Sequence, residues 1–429
     1  MEGDLTIVVH DATGLPLPAE VELLSRVQLF RARVRCDLSG RAHFKRIPVG
    51  VYRLHVSHPQ FQLYSERLRV PSELPLARRI TLDVAEIETS LTISDSAPLV
   101  DSDQTGTVFQ VSRGQLRESA FTTSGRSAIN LVDTFPGWLL EANAVLHPRG
   151  SEYDTQYVID GIPLLDNRSL AFVPAFETDE FEALNVMTAA IPAEFGRKLG
   201  GVVELYTRRS GQPGHHSEFS LQGGSFSTTQ GVFSHQHVRE RTSLALGLRG
   251  GRTKRYLDPP SLENFSNTAN STGFNVRFER DVSDRDRLSF YLRSNRVNFM
   301  VPNDLEQQAH GQRQDRRGAE TAGQIHFQRT LSPRVLAAVR GMLRDVTSEL
   351  WSNNLSTPVF TQQDRGFREG VATGSVTVET ENHRFKFGAD LRQASIRELF
   401  LFSATEALPE IEFRFRDRRQ SRDAGAFLQ

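Results

Sequence analysis

The chain has 429 residues, 38% of them hydrophobic and 24% charged, which leaves room for roughly two to four domains with modest cores. Lys and Arg number 51 against 52 Asp and Glu, a net charge of -1 that excludes a nucleic-acid binder led by phosphate contacts. The single cysteine, Cys36, excludes a disulfide framework or multi-thiolate metal site, and no apolar run of about 18 residues offers a transmembrane helix, although a β-barrel, whose signal is alternation, stays open.

The opening MEGDLTIVVH has no basic segment, and its apolar stretch from Leu5 to Val9 is too short for a signal-peptide core. The closing DAGAFLQ stops in strand-like alternation. Both ends therefore leave open a cut chain. Residues 1–86 read as short alternating strands, among them LTIVVHD, AEVELLS, GRAHFKRIP, GVYRLHVSHP and RRITLDVAE. Turn chemistry separates them at Gly14-Leu15-Pro16, Asp37-Leu38-Ser39-Gly40 and Pro48-Val49-Gly50, and a small antiparallel β-sandwich is predicted. GLPLPAEVEL, CDLSGRAHFKRIPVGVYRLHV and HPQF resemble the carboxypeptidase-regulatory-like module, a transthyretin-like sandwich without catalytic residues.

Residues 87–118 turn to Ser, Thr and Asp, the composition of an exposed linker. Within it Leu91-Thr92-Ile93 is a short β-prone stretch, either plain tether or a strand offered to the edge of a partner's sheet. Residues 119–211 are mixed: a short helix is predicted in GRSAINLVDTFPGW, and strands in YVIDGIPL, FEALNVMTAA and GGVVELYTRR. FPGW, HPRG, YVIDGIPLLDN and FEALNVMTAAIPAEFGRKLGGVVELYTRRSG, in that order, resemble the plug domain of TonB-dependent outer-membrane receptors. The resemblance rests on Arg149, Gly150, Asp160, Gly161, Phe195, Gly196, Gly200 and Gly201. It implies that Leu91, Thr92 and Ile93 are a candidate TonB box, the stretch such receptors present to an energy-coupling partner.

Residues 212–429 alternate apolar and polar residues in about ten strands. Leu244, Leu246 and Leu248 share a face, as do Phe274, Val276 and Phe278, then Leu288, Phe290 and Leu292, then Phe385 and Phe387. Arg277, Arg293, Arg384 and Lys386 fall on the opposite face. Short turns near 238–241, 283–287, 331–334 and 379–383 alternate with long polar stretches at 252–270, 296–317, 348–367 and 397–420. That rhythm fits a barrel with tight periplasmic turns and long outer loops. Plugged transporters close with about 22 strands, so an open, truncated part of a barrel is expected.

Enzymatic signals are weak. His215-x-x-Glu218 and His237-x-x-Glu240 have the spacing of a zinc pair, but two such pairs arise by chance in an acid-rich chain with 12 histidines. His235 and His237 share a strand face and read as solvated side chains. The arginine-rich RFRDRRQSR and GQRQDRRG read as outer loops.

The expected fold class is thus mainly β: a transthyretin-like sandwich, a mixed α/β plug and part of an antiparallel outer-membrane barrel. The resemblance implies a non-enzymatic importer in the outer membrane of a Gram-negative-type bacterium, with no cofactor. Its partners would be a TonB-type energy-coupling protein of the inner membrane, outer-membrane lipid and a scarce small solute: an iron chelate, cobalamin, an oligosaccharide or a peptide. A surface binding or adhesion protein, or a non-transporting remnant of such a receptor, is the alternative.

Overall fold

The computed structural model describes residues 2–25, 30–70, 73–84, 108–118, 125–141, 145–151, 154–164, 176–189, 191–196, 198, 200–208, 213–380, 383–405 and 412–429. Leu91, Thr92 and Ile93 lie outside the described residues.

Seven strands build the N-terminal unit: β1 (Glu2–Asp11), β2 (Glu20–Ser25), β3 (Phe30–Arg35), β4 (Arg41–Pro48), β5 (Gly50–Ser57), β6 (Tyr64–Val70) and β7 (Leu76–Leu82). They form two sheets, ordered β4-β1-β7 and β3-β2-β5-β6. Period-2 alternation sends Leu5, Ile7 and Val9 from one sheet, and Val21, Leu23, Leu54 and Val56 from the other, into one core that includes Cys36. Two turns repeat one solution. The Asp11 carboxylate accepts the peptide N–H groups of Thr13 and Leu15, and Asp37 accepts those of Ser39 and Arg41. Gly14 and Gly40 supply the left-handed residue that follows in each. The expectation of a wholly antiparallel sandwich is corrected at one pair. β1 and β7 run parallel, from Leu5 opposite Leu76 to Asp11 opposite Leu82. A parallel neighbour needs a long crossover, here all of β2 to β6, which local alternation does not register.

The second unit holds β8 (Val108–Ser112), α1 (Arg113–Glu118), α2 (Ser127–Val132), β9 (Trp138–Leu140), β10 (Leu146–Pro148), β11 (Thr155–Ile159), β12 (Ile162–Pro163), β13 (Phe181–Met187) and β14 (Gly201–Thr207). Its main sheet runs β12-β11-β14-β13-β8, with β11 and β14 parallel and β13 antiparallel to both of its neighbours. Every residue of β14 is buried, and α2 packs Ala128, Ile129, Leu131 and Val132 into the same core. Composition assigned 108–118 to the linker; the ladder corrects this. Val111 pairs with Leu184 and Val108 with Met187, so β8 is an edge strand of the plug sheet and α1 continues it.

The last unit is one ten-stranded antiparallel meander: β15 (Gly214–Gly224), β16 (Thr228–Arg239), β17 (Thr242–Thr253), β18 (Ala269–Asp281), β19 (Asp286–Met300), β20 (Gln314–Ser332), β21 (Val335–Ser352), β22 (Val359–Glu379), β23 (Arg384–Ala404) and β24 (Glu412–Leu428). A short α3 (Leu305–Ala309), closed by a capping box between Asp304 and Gln307, folds the loop between β19 and β20. Two of the four long loops expected from sequence are mostly strand, since β21 and β22 continue to Ser352 and from Val359, and RFRDRRQSR lies within β24. Alternation breaks down in these ends, where Leu350-Trp351 and Leu399–Phe402 are apolar runs and Asp417–Arg419 is a charged one, yet the backbone ladder continues. Among the described residues β15 pairs only with β16, and β24 only with β23, so the sheet is open.

Candidate functional site

The plug's signature residues serve its own packing. Arg149 (φ 51) and Gly150 (φ 74) are the two left-handed residues of a tight turn closed by Ser151 N–H donating to Pro148, and the Arg149 N–H donates to Gly137. Asp160 (φ 48) and Gly161 (φ 80) make the same kind of turn between β11 and β12. Gly200 and Gly201 answer to close approach. A Cβ on Gly201 would stand 2.6 Å from the Trp138 ring, and one on Gly200 2.8 Å from Pro148. FPGW, HPRG and the glycine pair, distant in sequence, thus meet at one point. Phe195 is buried with Val158, Met187 and Val202, while Gly196 takes an ordinary helical backbone that does not demand glycine. Among the described residues Asp160 and Gly161 border two cavities between plug and sheet of about 10 and 30 Å³, room for a water or two.

What the sheet brings to the plug is charge. Over β16 to β22 the inner-face residues are mostly buried, while on the outer face Leu244, Leu248, Phe274 and Phe290 are exposed, as are Phe385 and Phe387 of β23. Facing inward, Arg293 sits with Nε 2.7 Å from Glu180 and Nη1 2.9 Å from Glu320. Arg344 then bridges Glu320 at 3.0 Å and Glu369 at 2.9 Å, and Arg392 lies 3.7 Å from Glu369 and donates to the Pro163 carbonyl at 2.6 Å. Alternating acids and arginines thus run along β19 to β23, with both ends on the plug. Arg249 adds bonds to Asp179 and Glu180, Tyr291 donates to Glu180, Arg277 reaches Asp160 at 2.8 Å, and Lys386 pairs with Glu194. Of the four cations placed on this face from sequence, Arg277, Arg293 and Lys386 touch the plug or its partners. Arg384 stays near the sheet margin and pairs with Glu379 of the neighbouring strand.

The plug contributes one acid of a different kind. Glu177 is buried and accepts from the Gly125 N–H and from the Ser127 hydroxyl at 2.5 Å. Burial, reinforced by the Asp179 charge, pushes its carboxyl up to about 7. Arg126 beside it stacks over the Tyr256 ring, 5.0 Å from the centroid, and donates to the Tyr256 carbonyl, joining the plug apex to the β17–β18 loop. In β14, burial likewise raises the Glu204 carboxyl, which takes a bond from Asn185 at 3.2 Å.

Sequence reasoning missed Glu177, Glu180, Glu320, Arg344, Glu369 and Arg392. The last four carry a usable signal, since each stands at an inward position of an amphipathic strand. The zinc pairings do not assemble. Three residues apart on β15, His215 and Glu218 lie on opposite faces, and Glu218 turns to Arg113, Arg117 and Arg208. His215 stacks on His237 instead, ring centroids 4.0 Å apart. Among the described residues no group of three or more His, Cys, Asp or Glu stands where it could hold a metal ion.

No protein-family model matches the chain. Over 194 residues it is 25% identical to the TonB-dependent transporter Oar of Myxococcus xanthus, covering 43% of this chain and 18% of that protein. The ferripyoverdine receptor of the outer membrane of Pseudomonas aeruginosa superposes with a TM-score of 0.60 at 11% identity, over 82% of this chain and 54% of the receptor. This is the fold of the TonB-dependent receptors. The siderophore receptor PiuA from Acinetobacter baumannii gives the same TM-score at 12% identity, over 77% of this chain and 56% of PiuA. The chain therefore spans about half the length of these receptor structures and 18% of the curated relative. In the terms of this fold, the five-stranded unit is the plug and the ten-stranded sheet is barrel wall.

Proposed function

We propose that the chain supplies a periplasmic sandwich, the plug and ten barrel strands of a TonB-dependent receptor in the outer membrane of a Gram-negative-type bacterium. A scarce solute, of the class of an iron chelate, cobalamin, an oligosaccharide or a peptide, binds at the outer loops and plug apex and is imported when the plug yields. The observation that carries this reading is a sheet that is apolar outside and charged inside, with a plug wedged on the charged face by buried ion pairs. A water-soluble sheet has no reason to expose its leucines and bury its arginines. Lipid outside and a filled lumen inside give both.

The outer membrane holds neither ATP nor an ion gradient, so the work arrives as a pull from a TonB-type protein of the inner membrane. We assign that contact to Leu91-Thr92-Ile93, where β-branched Thr92 and Ile93 favour the extended form an edge strand captures. No covalent step enters, and no residue has a catalytic role. The test is accumulation of ferric chelates, cobalamin, oligosaccharides and peptides by cells expressing the receptor, with and without the energy-coupling protein. One class should accumulate only when that protein is present, and proline at both Thr92 and Ile93 should stop uptake while surface binding persists. Binding without accumulation in either strain would favour the adhesion reading, and uptake that survives both prolines would move the coupling site elsewhere.

A further inference from the structure

The sandwich is seated on the periplasmic rim of the barrel wall by charges that continue into the plug. Arg46, in β4, has a left-handed backbone (φ 59) that a side chain of its size rarely adopts, and its N–H is held by the Asp4 carboxylate at 2.9 Å. This turns its guanidinium out of the sandwich and into the wall. There Nε lies 2.6 Å from Glu279 Oε1 and Nη2 3.7 Å from Asp281, with the Arg46 and Glu279 side chains only 5% and 2% exposed. The contact is one of proximity, because Nε and Oε1 are not aligned as donor and acceptor. Arg287 reaches the other way, bonding Asp4 at 3.0 Å and Asp281 at 2.9 Å, and Lys45 lies 3.4 Å from Asp281.

The second oxygen of Glu279 lies 3.2 Å from Arg277, two residues away on the same inner face of β18. Arg277 in turn holds Asp160 at 2.8 Å and donates to Thr207 at 2.6 Å, both in the plug. A second route ends at the same turn. Sandwich residue Glu73 lies 3.8 Å from Arg340 of β21, and the Arg340 guanidinium covers Gly161, where a Cβ would come within 3.3 Å of it. Two sandwich side chains thus act on two wall arginines, and both arginines rest on the Asp160–Gly161 turn.

The charge count gives the direction of coupling. With the sandwich seated, the first route sets Asp4, Asp160, Glu279 and Asp281 against Lys45, Arg46, Arg277 and Arg287, four against four. Removing the sandwich takes away Asp4, Lys45 and Arg46, leaving three carboxylates to share two guanidiniums. Glu279 then competes harder for Arg277, and Asp160 loses.

We propose that the sandwich is a latch on the plug: seated, it satisfies Glu279 and leaves Arg277 to hold the Asp160–Gly161 turn; withdrawn, it frees that turn. The latch is independent of whether any solute is imported. It is tested on the whole protein in detergent micelles by hydrogen exchange of the segment from Thr155 to Thr207. Arg46→Gly removes the guanidinium and keeps the left-handed backbone without strain. It should speed exchange of the Asp160–Gly161 turn by about tenfold or more, with Ile7 and Leu54 in the sandwich and Val111 in β8 unchanged. Adding Glu279→Gln removes the competitor for Arg277 and should restore protection of the turn, a rescue that a merely structural contact would not give. If Arg46→Gly does not fold, Lys45→Glu, at a half-exposed site facing Asp281, should loosen the same turn. A turn that exchanges at the wild-type rate in these variants, or a double variant as loose as the single one, overturns the latch.

Discussion

The sandwich and the barrel wall are built from the same alternating strands, and they use them in opposite senses. In the sandwich Leu54 is 0% exposed and the arginines of β3 stand in water; in the wall Leu343 is 75% exposed and Arg293 0%. Strand alternation creates two faces but does not say which is the inside. That is decided by what fills each side, an apolar core and water in one case, lipid and a charged plug in the other. The wall also shows what burying charge requires. Its acids and arginines alternate along one line, so that each has neighbours of opposite sign, and none could be removed without stranding the next.

The contrast can be broken most strongly at Glu369. Glu369→Ala leaves Arg344 and Arg392 facing a gap and should cost about 3–5 kcal/mol, read as a lowered unfolding midpoint in micelles. Placing charge on the exposed side tests the opposite half of the argument. Leu343→Arg should cost about 2–4 kcal/mol in lipid, although Leu343 is exposed, whereas Arg67→Leu on the water face of β6 should change stability by under about 0.5 kcal/mol. Refolding yields into vesicles and urea midpoints measure the two.

Glu177 belongs to neither regime, being buried and bonded to a peptide N–H and a hydroxyl. Its carboxyl is raised to about 7, so between pH 4.5 and 7 the folded plug keeps a proton that the unfolded chain has lost. The stabilisation is complete below about pH 4.5 and disappears as pH rises through 7, roughly 3 kcal/mol in all. Glu177→Gln should flatten that slope in melting curves taken across this range. A smaller loss than at Glu369 is expected at Gly201→Ala, where the new methyl meets Trp138 and overpacking costs about 1–3 kcal/mol; quenching of Trp138 fluorescence should change with it.

The faces of the wall could be read directly, because Leu244, Phe274 and Phe290 alternate with Ser243, Asn275 and Tyr291 over the stretch where lipid imposes a pattern. The turn at Asp160-Gly161 and the three plug strands β11, β13 and β14 were equally plain. Other features depended on partners far along the chain. The place of Glu320 on its strand marks it as inward-facing, but its ion-pair partners appear only when β19 and β21 set Arg293 and Arg344 beside it. Val108–Ser112 is too short and too close to a polar run to declare itself a strand, and only β13 makes it one. The ends of β21 to β24 were read as loops because alternation fails there, in apolar runs such as Leu399–Phe402 and in the charged Asp417–Arg419, although the ladder runs on.

The position of β8 has a mechanical consequence. Among the described residues it is the outermost strand of the plug sheet, paired there with β13 alone, and the chain enters the plug sheet through it. A force transmitted from the N-terminal side loads Val108 before any other residue of that sheet. An edge strand can be drawn off without cutting through its neighbours, so five paired residues, Val108 to Ser112, would part while β11, β13 and β14 keep their ladders. Single-molecule pulling from the sandwich side should therefore show a low-force event of that short length ahead of the main rupture. The plug sheet would have a tear line set at the point of entry, and a tug there would start to peel it without dismantling the body of the sheet.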